Sequence, residues 1–238
     1  MEQLPVPLLL GFALILSCQL LFHYSSQKRH ETDYQPLEKP LRASTYQGIS
    51  MGSSRLLSYL LAIRLQLHDN QMGRHFSYNR INYHQLVDWL EQITEINPAS
   101  EYPMLLATRI YGQTRDQERL RLILEFVERR FDQDPQLHWR RLSEASLHAK
   151  HRLGDLQLAL RLAEKLASQP ASVVMPNWAR DMRFLLLADM NEFESAIAIV
   201  QALLQSGSIS DVDEKRFLEG KLLDFQQKLF ETQQPAQN

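Results

Sequence analysis

Cysteine occurs once, at Cys18, so neither an intramolecular disulfide nor a cysteine-ligated metal cluster can form within the chain. Glycine is also scarce, with 8 in 238 residues, which argues against a turn-rich all-β fold. There is no excess of positive charge: 26 Lys and Arg face 28 Asp and Glu, for a formal net charge of −2. Phosphate binding by counterion release needs a basic face, so no nucleic-acid partner is expected. A Gly-rich phosphate loop and a GxSxG elbow are both missing. The lone thiol sits in an apolar run, so the usual nucleophile signatures are absent and the chain reads as a non-enzyme without a cofactor.

The most conspicuous feature present is that run. Residues 4–22, LPVPLLLGFALILSCQLLF, carry no formal charge. As a helix such a stretch covers close to ~30 Å, the thickness of a bilayer core, which predicts one transmembrane helix. A cleaved secretory signal is the competing reading, but no basic residue precedes the run and no small-x-small site follows it. Ile15-Leu16-Ser17-Cys18 resembles a bacterial lipobox, although Leu20, Leu21 and Phe22 continue past the cysteine and Glu2 stands where a cation is expected. Lys28, Arg29, Lys39 and Arg42 follow the run, and the positive-inside rule then puts the body in the cytoplasm, with an exported body as the alternative. The chain divides into an anchor over 1–24, a linker over 25–50 holding Pro36 and Pro40, a helical domain over 51–231, and a disordered tail over 232–238.

After Gly52, Leu56, Leu57, Leu60, Leu61 and Ile63 predict one face of a helix capped by Ser53 or Ser54 and ending near Asp69-Asn70. Beyond it the chain repeats. Asn97-Pro98 and Asp134-Pro135 each close an amphipathic run, marked by Tyr83, Leu86, Leu90 and Ile93 in the first and by Leu120, Ile123, Val127 and Phe131 in the second. Gly154-Asp155-Leu156 leads into Ala159, Leu162, Ala163 and Leu166 before Pro170. Asn191-Glu192-Phe193 leads into Ala196, Ile197, Val200 and Leu203 before Gly207. Arg119, Arg121, Arg129 and Arg130 alternate with Glu118, Glu125, Glu128 and Asp132, the pattern of a solvated, salt-bridged helix face. A last helix follows Ser210, with Asp211, Asp213 and Glu214 in its first turn and Phe217, Leu218, Leu222, Phe225 and Leu229 on one side.

The segment from Gly154 to Pro170 resembles the tetratricopeptide repeat. In that family a unit of about 34 residues pairs two antiparallel helices through a Gly-Asp turn, with a small residue early in the second helix and a closing proline. Gly154 and Asp155 match the turn, Ala159 the small position and Pro170 the terminator, whereas Leu86 and Ile123 stand where the family has Ala. The resemblance implies an all-α solenoid of antiparallel helix pairs over about 83–207, with first helices at 102–111, 137–153 and 177–188. It also implies a groove lined by those first helices. Arg109, Arg140, Arg141, Arg180 and Arg183 are then the polar candidates for meeting an acidic peptide, with Trp139 and Trp178 as aromatic candidates. Trp89 reads as core.

His148-x-x-His151, with Asp155 one turn on, outlines a metal site on paper, but it lacks the glutamate of HExxH and is flanked by Lys150 and Arg152. The Asp211 cluster lacks the glycine of a calcium loop and reads as helix capping. The expected function is a membrane-anchored scaffold that binds protein partners during assembly or stabilisation of a membrane or envelope complex. A permanent accessory subunit of such a complex is the alternative, and a membrane-bound hydrolase or metal-dependent enzyme around His148 and His151 a third reading.

Overall fold

The computed structural model describes residues 11–12, 14–22, 36–50, 52–68, 80–207, 209 and 211–233. Of these, 79% are helical and none forms a strand, so the chain is all-α as expected. Residues 14–22 of the apolar run are helical, while 4–10 and 13, together with Lys28, Arg29, the linker up to 35, Ser210 and the tail from 234, lie outside the described residues. Among the described residues no helix is long and apolar enough to cross a membrane.

The body contains α1 (Ala43–Ile49), α2 (Ser54–His68), α3 (Tyr83–Ile96), α4 (Tyr102–Arg109), α5 (Gln117–Gln133), α6 (Pro135–His148), α7 (Leu156–Ala167), α8 (Asn177–Asp181), α9 (Arg183–Asp189), α10 (Phe193–Gln205) and α11 (Val212–Gln233). Polar side chains start the longer ones. Asn82 accepts from the backbone N–H groups of His84 and Gln85, Asp116 from Arg119, Asp134 from Leu137 and Asp155 from Leu158, each relieving a first-turn N–H that has no helical partner. Pro135 at the first turn of α6 lacks the N–H that would otherwise go unused.

Turns between helices follow from backbone demands at a few positions. Gly154 has φ of 68° and Asn191 φ of 62°, and they lie at equivalent places before α7 and α10. Gly and Asn are the residues that enter this left-handed region at least cost. Gly112, in the short 3-10 turn Tyr111–Gln113, is required for a different reason: a Cβ there would stand 2.9 Å from the carbonyl oxygen of Ala107.

Each helix packs on its neighbours in the sequence. The principal contacts join α1 and α2 to α3, α3 to α4 and α5, α4 to α5 and α6, α5 to α6, α6 to α7, α7 to α8 and α9, α9 to α10, and α10 to α11. Ala159 and Ala196 are fully buried at the small positions, and so are Leu86 and Ile123. At Ala159 the approach is close enough for the Ser146 hydroxyl of α6 to donate to its carbonyl at 2.8 Å. The apolar core runs from Leu37 to Leu186, and a smaller cluster formed by Phe184, Phe193, Val200, Leu218 and Phe225 continues it, with Leu160 touching both.

Two expectations need correction. The segment read as linker joins the body from Pro36 onward: Leu37 and Tyr46 are buried, the Trp89 indole donates to the Glu38 carbonyl at 2.7 Å, and Gln92 accepts from the Ala43 N–H. Prolines and scattered charge hid two anchoring side chains too far apart to make a period. In α2, Leu56, Leu60 and Ile63 face outward, and the buried face is Ser58, Leu61, Ala62 and Leu65. Apolar residues surround this helix, so periodicity alone could not select the packed side.

The charged residues of α5 pair across helices rather than along one. Arg129 and Arg130 reach Glu91 on α3, Glu128 accepts from Arg161 and Lys165 on α7, Asp132 meets Lys165, and Arg121 meets Asp155 at 2.7 Å. At the other end of α3, Arg119 lies over the Tyr83 ring. Contacts at both ends therefore join residues offset by 33–39 positions, which means that α3, α5 and α7 run side by side in the same direction.

On the other side of the body, Glu144 of α6 accepts from the Thr108 hydroxyl at 2.9 Å and from Arg109 of α4, and it pairs with buried Arg141 at 2.8 Å. Burial raises the pKa of this carboxyl, but the hydrogen bonds from Arg109 and Thr108 and the charge of Arg141 outweigh it, and the net direction is down. A depressed folded-state value stabilises the protein above the unfolded glutamate pKa, and that stability is lost as pH falls through the folded value. Glu144→Ala strands the Arg141 charge and should cost about 3 kcal/mol at neutral pH. Urea unfolding at pH 7 and in acid measures this, and the deficit should shrink at low pH.

Candidate binding groove

Three of the five candidate arginines are occupied by the body itself. Arg109 and Arg141 hold Glu144. Arg180 donates to the carbonyls of Gln169, Pro170 and Val173, fastening the loop before α8. Arg183 is half-buried, and its Nε has no hydrogen-bond partner. Arg140 is exposed and lies 5.2 Å over the Trp139 ring. Trp139 is half-buried and meets Trp178 edge-on at 6.1 Å, while Trp178 is 56% exposed. Trp89 is core, as its place on the apolar face of α3 implied.

Trp178 leads to an apolar groove. A groove of about 270 Å3 is lined by Leu147 from α6, Trp178 from α8, Met182 between α8 and α9, Leu185 and Leu186 from α9, and Phe217 and Leu218 from α11. Leu147, Trp178 and Phe217 each leave 44% or more of their surface to solvent, so the lining is open for contact. The helix break at Met182 divides the expected helix 177–188 in two, and Trp178 and Leu185, seven residues apart, both line the groove.

The polar rim is acidic in effect. Lys150 also lines the groove, but its ammonium pairs with Asp189 of α9. Glu214 accepts from the Asn177 amide at 3.2 Å. Asp181 forms no hydrogen bond or ion pair among the described residues. Burial among apolar neighbours pushes its pKa up, Arg183 and Arg180 oppose this, and Glu214 adds to it. An ionised carboxylate short of partners beside an apolar trough favours an incoming cation attached to apolar groups.

Sequence reasoning found Trp178 and missed the rest of the lining. Leu147 falls outside the buried face of α6, and that off-phase leucine was the available signal. Glu214 was read as a capping acid. The first-turn bond is made instead by Asp211, which accepts from the Asp213 N–H at 2.8 Å.

The two histidines do not converge. His148 is half-buried, and burial and then Arg152 hold its pKa down, whereas His151 is exposed. Among the described residues no group of three or more His, Cys, Asp or Glu side chains is placed to hold a metal ion. No family model matches the chain, and neither a curated protein nor a solved structure matches it at a significant level.

The raised value at Asp181 has a measurable sign. Its folded-state pKa lies above the unfolded one, so the associated stability is complete below the ordinary aspartate range and is lost as pH rises through the folded value. Asp181→Asn should therefore raise Tm near neutral pH, and the gain should vanish in acid. Thermal unfolding across that pH range is the check.

Proposed function

We propose that the chain is a scaffold for protein–protein interaction: a degenerate tetratricopeptide-like solenoid carried on one membrane-spanning helix over 4–22, with its body on the cytoplasmic side. Its work is to hold a segment of a partner protein near the membrane while a membrane or envelope complex is assembled or stabilised. The observation that carries this reading is the apolar groove bounded by α6, α8–α9 and α11. α6 and α8–α9 correspond to the first helices that the resemblance expects to line a groove, and α11 follows them as the last helix. The repeat offset of 33–39 residues and the matched left-handed turns at Gly154 and Asn191 support the solenoid.

Open apolar side chains around a half-buried carboxylate suit a short amphipathic helix or extended peptide bearing one basic residue. Its apolar groups fill the trough and its cation meets Asp181 and Glu214. Contact energy at such sites concentrates in a few aromatic and large apolar anchors, which here are Trp178, Phe217 and Leu147.

Leu147→Asp and Phe217→Asp alter exposed positions and should leave helicity intact. Each should weaken capture of the partner by at least about tenfold, judged by copurification in mild detergent with crosslinking and mass spectrometry. An unchanged set of crosslinked proteins in both variants would exclude the groove as the docking site. Arg140→Glu is the matching probe of the cationic side, because Arg141 is buried and its reversal would disturb the fold.

A further inference from the structure

α2 carries apolar residues on two opposite faces, and the body covers one of them. Ser58, Leu61, Ala62 and Leu65 are buried. Leu56, Tyr59, Leu60, Ile63 and Leu67 are 46% to 62% exposed. At helical spacing these five fall within an arc of about 100°, a continuous stripe of about 17 Å along the axis. Arg55 and Arg64, both exposed, stand on either side of it, and no Asp or Glu occurs in the helix; Arg64 pairs with Glu38 at 3.5 Å and lies 5.5 Å over the Trp89 ring, whereas Arg55 forms no ion pair among the described residues. A helix that is apolar all round is a buried helix, so the outer stripe calls for a cover.

Charge and chain path select the cover. A second copy of α2 would bring four guanidinium groups together with no carboxylate on either helix to pair them, and like charges at a desolvated contact are unfavourable. Among the described residues of the chain's own N-terminal run, Leu14, Ile15, Leu20 and Leu21 do not supply it, each being at least 61% exposed. An anionic lipid surface meets both needs, taking the apolar stripe at the acyl boundary and the Arg55 guanidinium at the phosphates, with Arg64 held beside Glu38 at the rim. The chain also arrives at this helix. Pro36, Leu37 and Glu38 are pinned beside Arg64, Leu65 and His68 around a cavity of about 430 Å3. Pro36 lies 14 residues beyond Phe22. Even fully extended, that connection holds the start of the body within about 50 Å of the end of the apolar run.

We propose that the outer face of α2 is a second membrane contact, seated on anionic lipid headgroups, which fixes the orientation of the body relative to the bilayer. The inference rests on the anchor reading for delivery to the surface but concerns a different segment. The full chain carrying Cys18→Ser is labelled with an environment-sensitive fluorophore at Leu60→Cys, at Leu67→Cys or, as a control at the far end of the body, at Gln205→Cys. It is reconstituted in phosphatidylcholine vesicles containing a minority of phosphatidylglycerol, with and without nitroxide-labelled lipid.

The expected result is nitroxide quenching at positions 60 and 67 at least about threefold greater than at 205, reduced when Arg55→Glu and Arg64→Glu are combined. Equal quenching at all three positions in vesicles that carry the protein through flotation overturns the lipid contact and leaves the anchor standing. Shielding of position 60 from aqueous iodide without lipid quenching overturns it in favour of a protein cover. A chain that fails to float with the vesicles overturns the anchor and the contact together.

Discussion

Everything in this body depends on one constraint: a helix can bury its apolar face only against helices that lie close to it in the sequence. The packing order from α2 to α11 contains no long-range return of the chain, and the pairs that join equivalent positions keep an offset of 33–39 residues. The core therefore joins each helix mainly to those near it in the sequence. Two ends remain, and each leaves apolar surface for something else to meet: the outer stripe of α2 at one, and the groove beside α11 at the other.

Electrostatics refines that arrangement more than it holds it together. The exposed pairs between α3, α5 and α7 are each worth little in free energy, but they fix the register of parallel helices by matching Glu91, Glu128 and Asp132 to cations one unit later. Glu144 with Arg141, and Glu91 with Arg130, are different because both partners are largely shielded. There a lost partner leaves a charge without compensation, which makes the contact between α4 and α6 intolerant of substitution.

Helix positions were legible in the sequence because local rules decide them. Asn97-Pro98, Asp134-Pro135 and Gly154-Asp155 terminate or start helices through backbone chemistry that acts within a few residues. The buried side of α3, α5 and α7 was equally plain, since their apolar stripes are narrow. Legibility failed where the deciding partner is distant. Nothing near Leu37 announces that it packs on the body, and nothing near Arg141 or Arg180 distinguishes a structural cation from one free to meet a ligand. Those roles depend on Glu144 and on the carbonyls of the loop before α8. The groove was hidden for a related reason: its lining comes from four separate helices and the junction at Met182, and only Trp178 stood out by residue type.

α11 buries few of its side chains, with Leu218 and Phe225 alone fully covered among its 22 residues. It also supplies Phe217 and Glu214, one wall of the groove. The terminal helix packs on α10 through Leu218 and Phe225, with half-buried Leu222 and Leu229 beside them, and part of that contact is shared with the site, so detachment of α11 would abolish the groove. By mass action, any occupant that touches α11 and the preceding helices adds its binding free energy to the closing of that end. An occupant of the groove would thus be coupled to the seating of α11, whose docked population would rise with the concentration of that occupant.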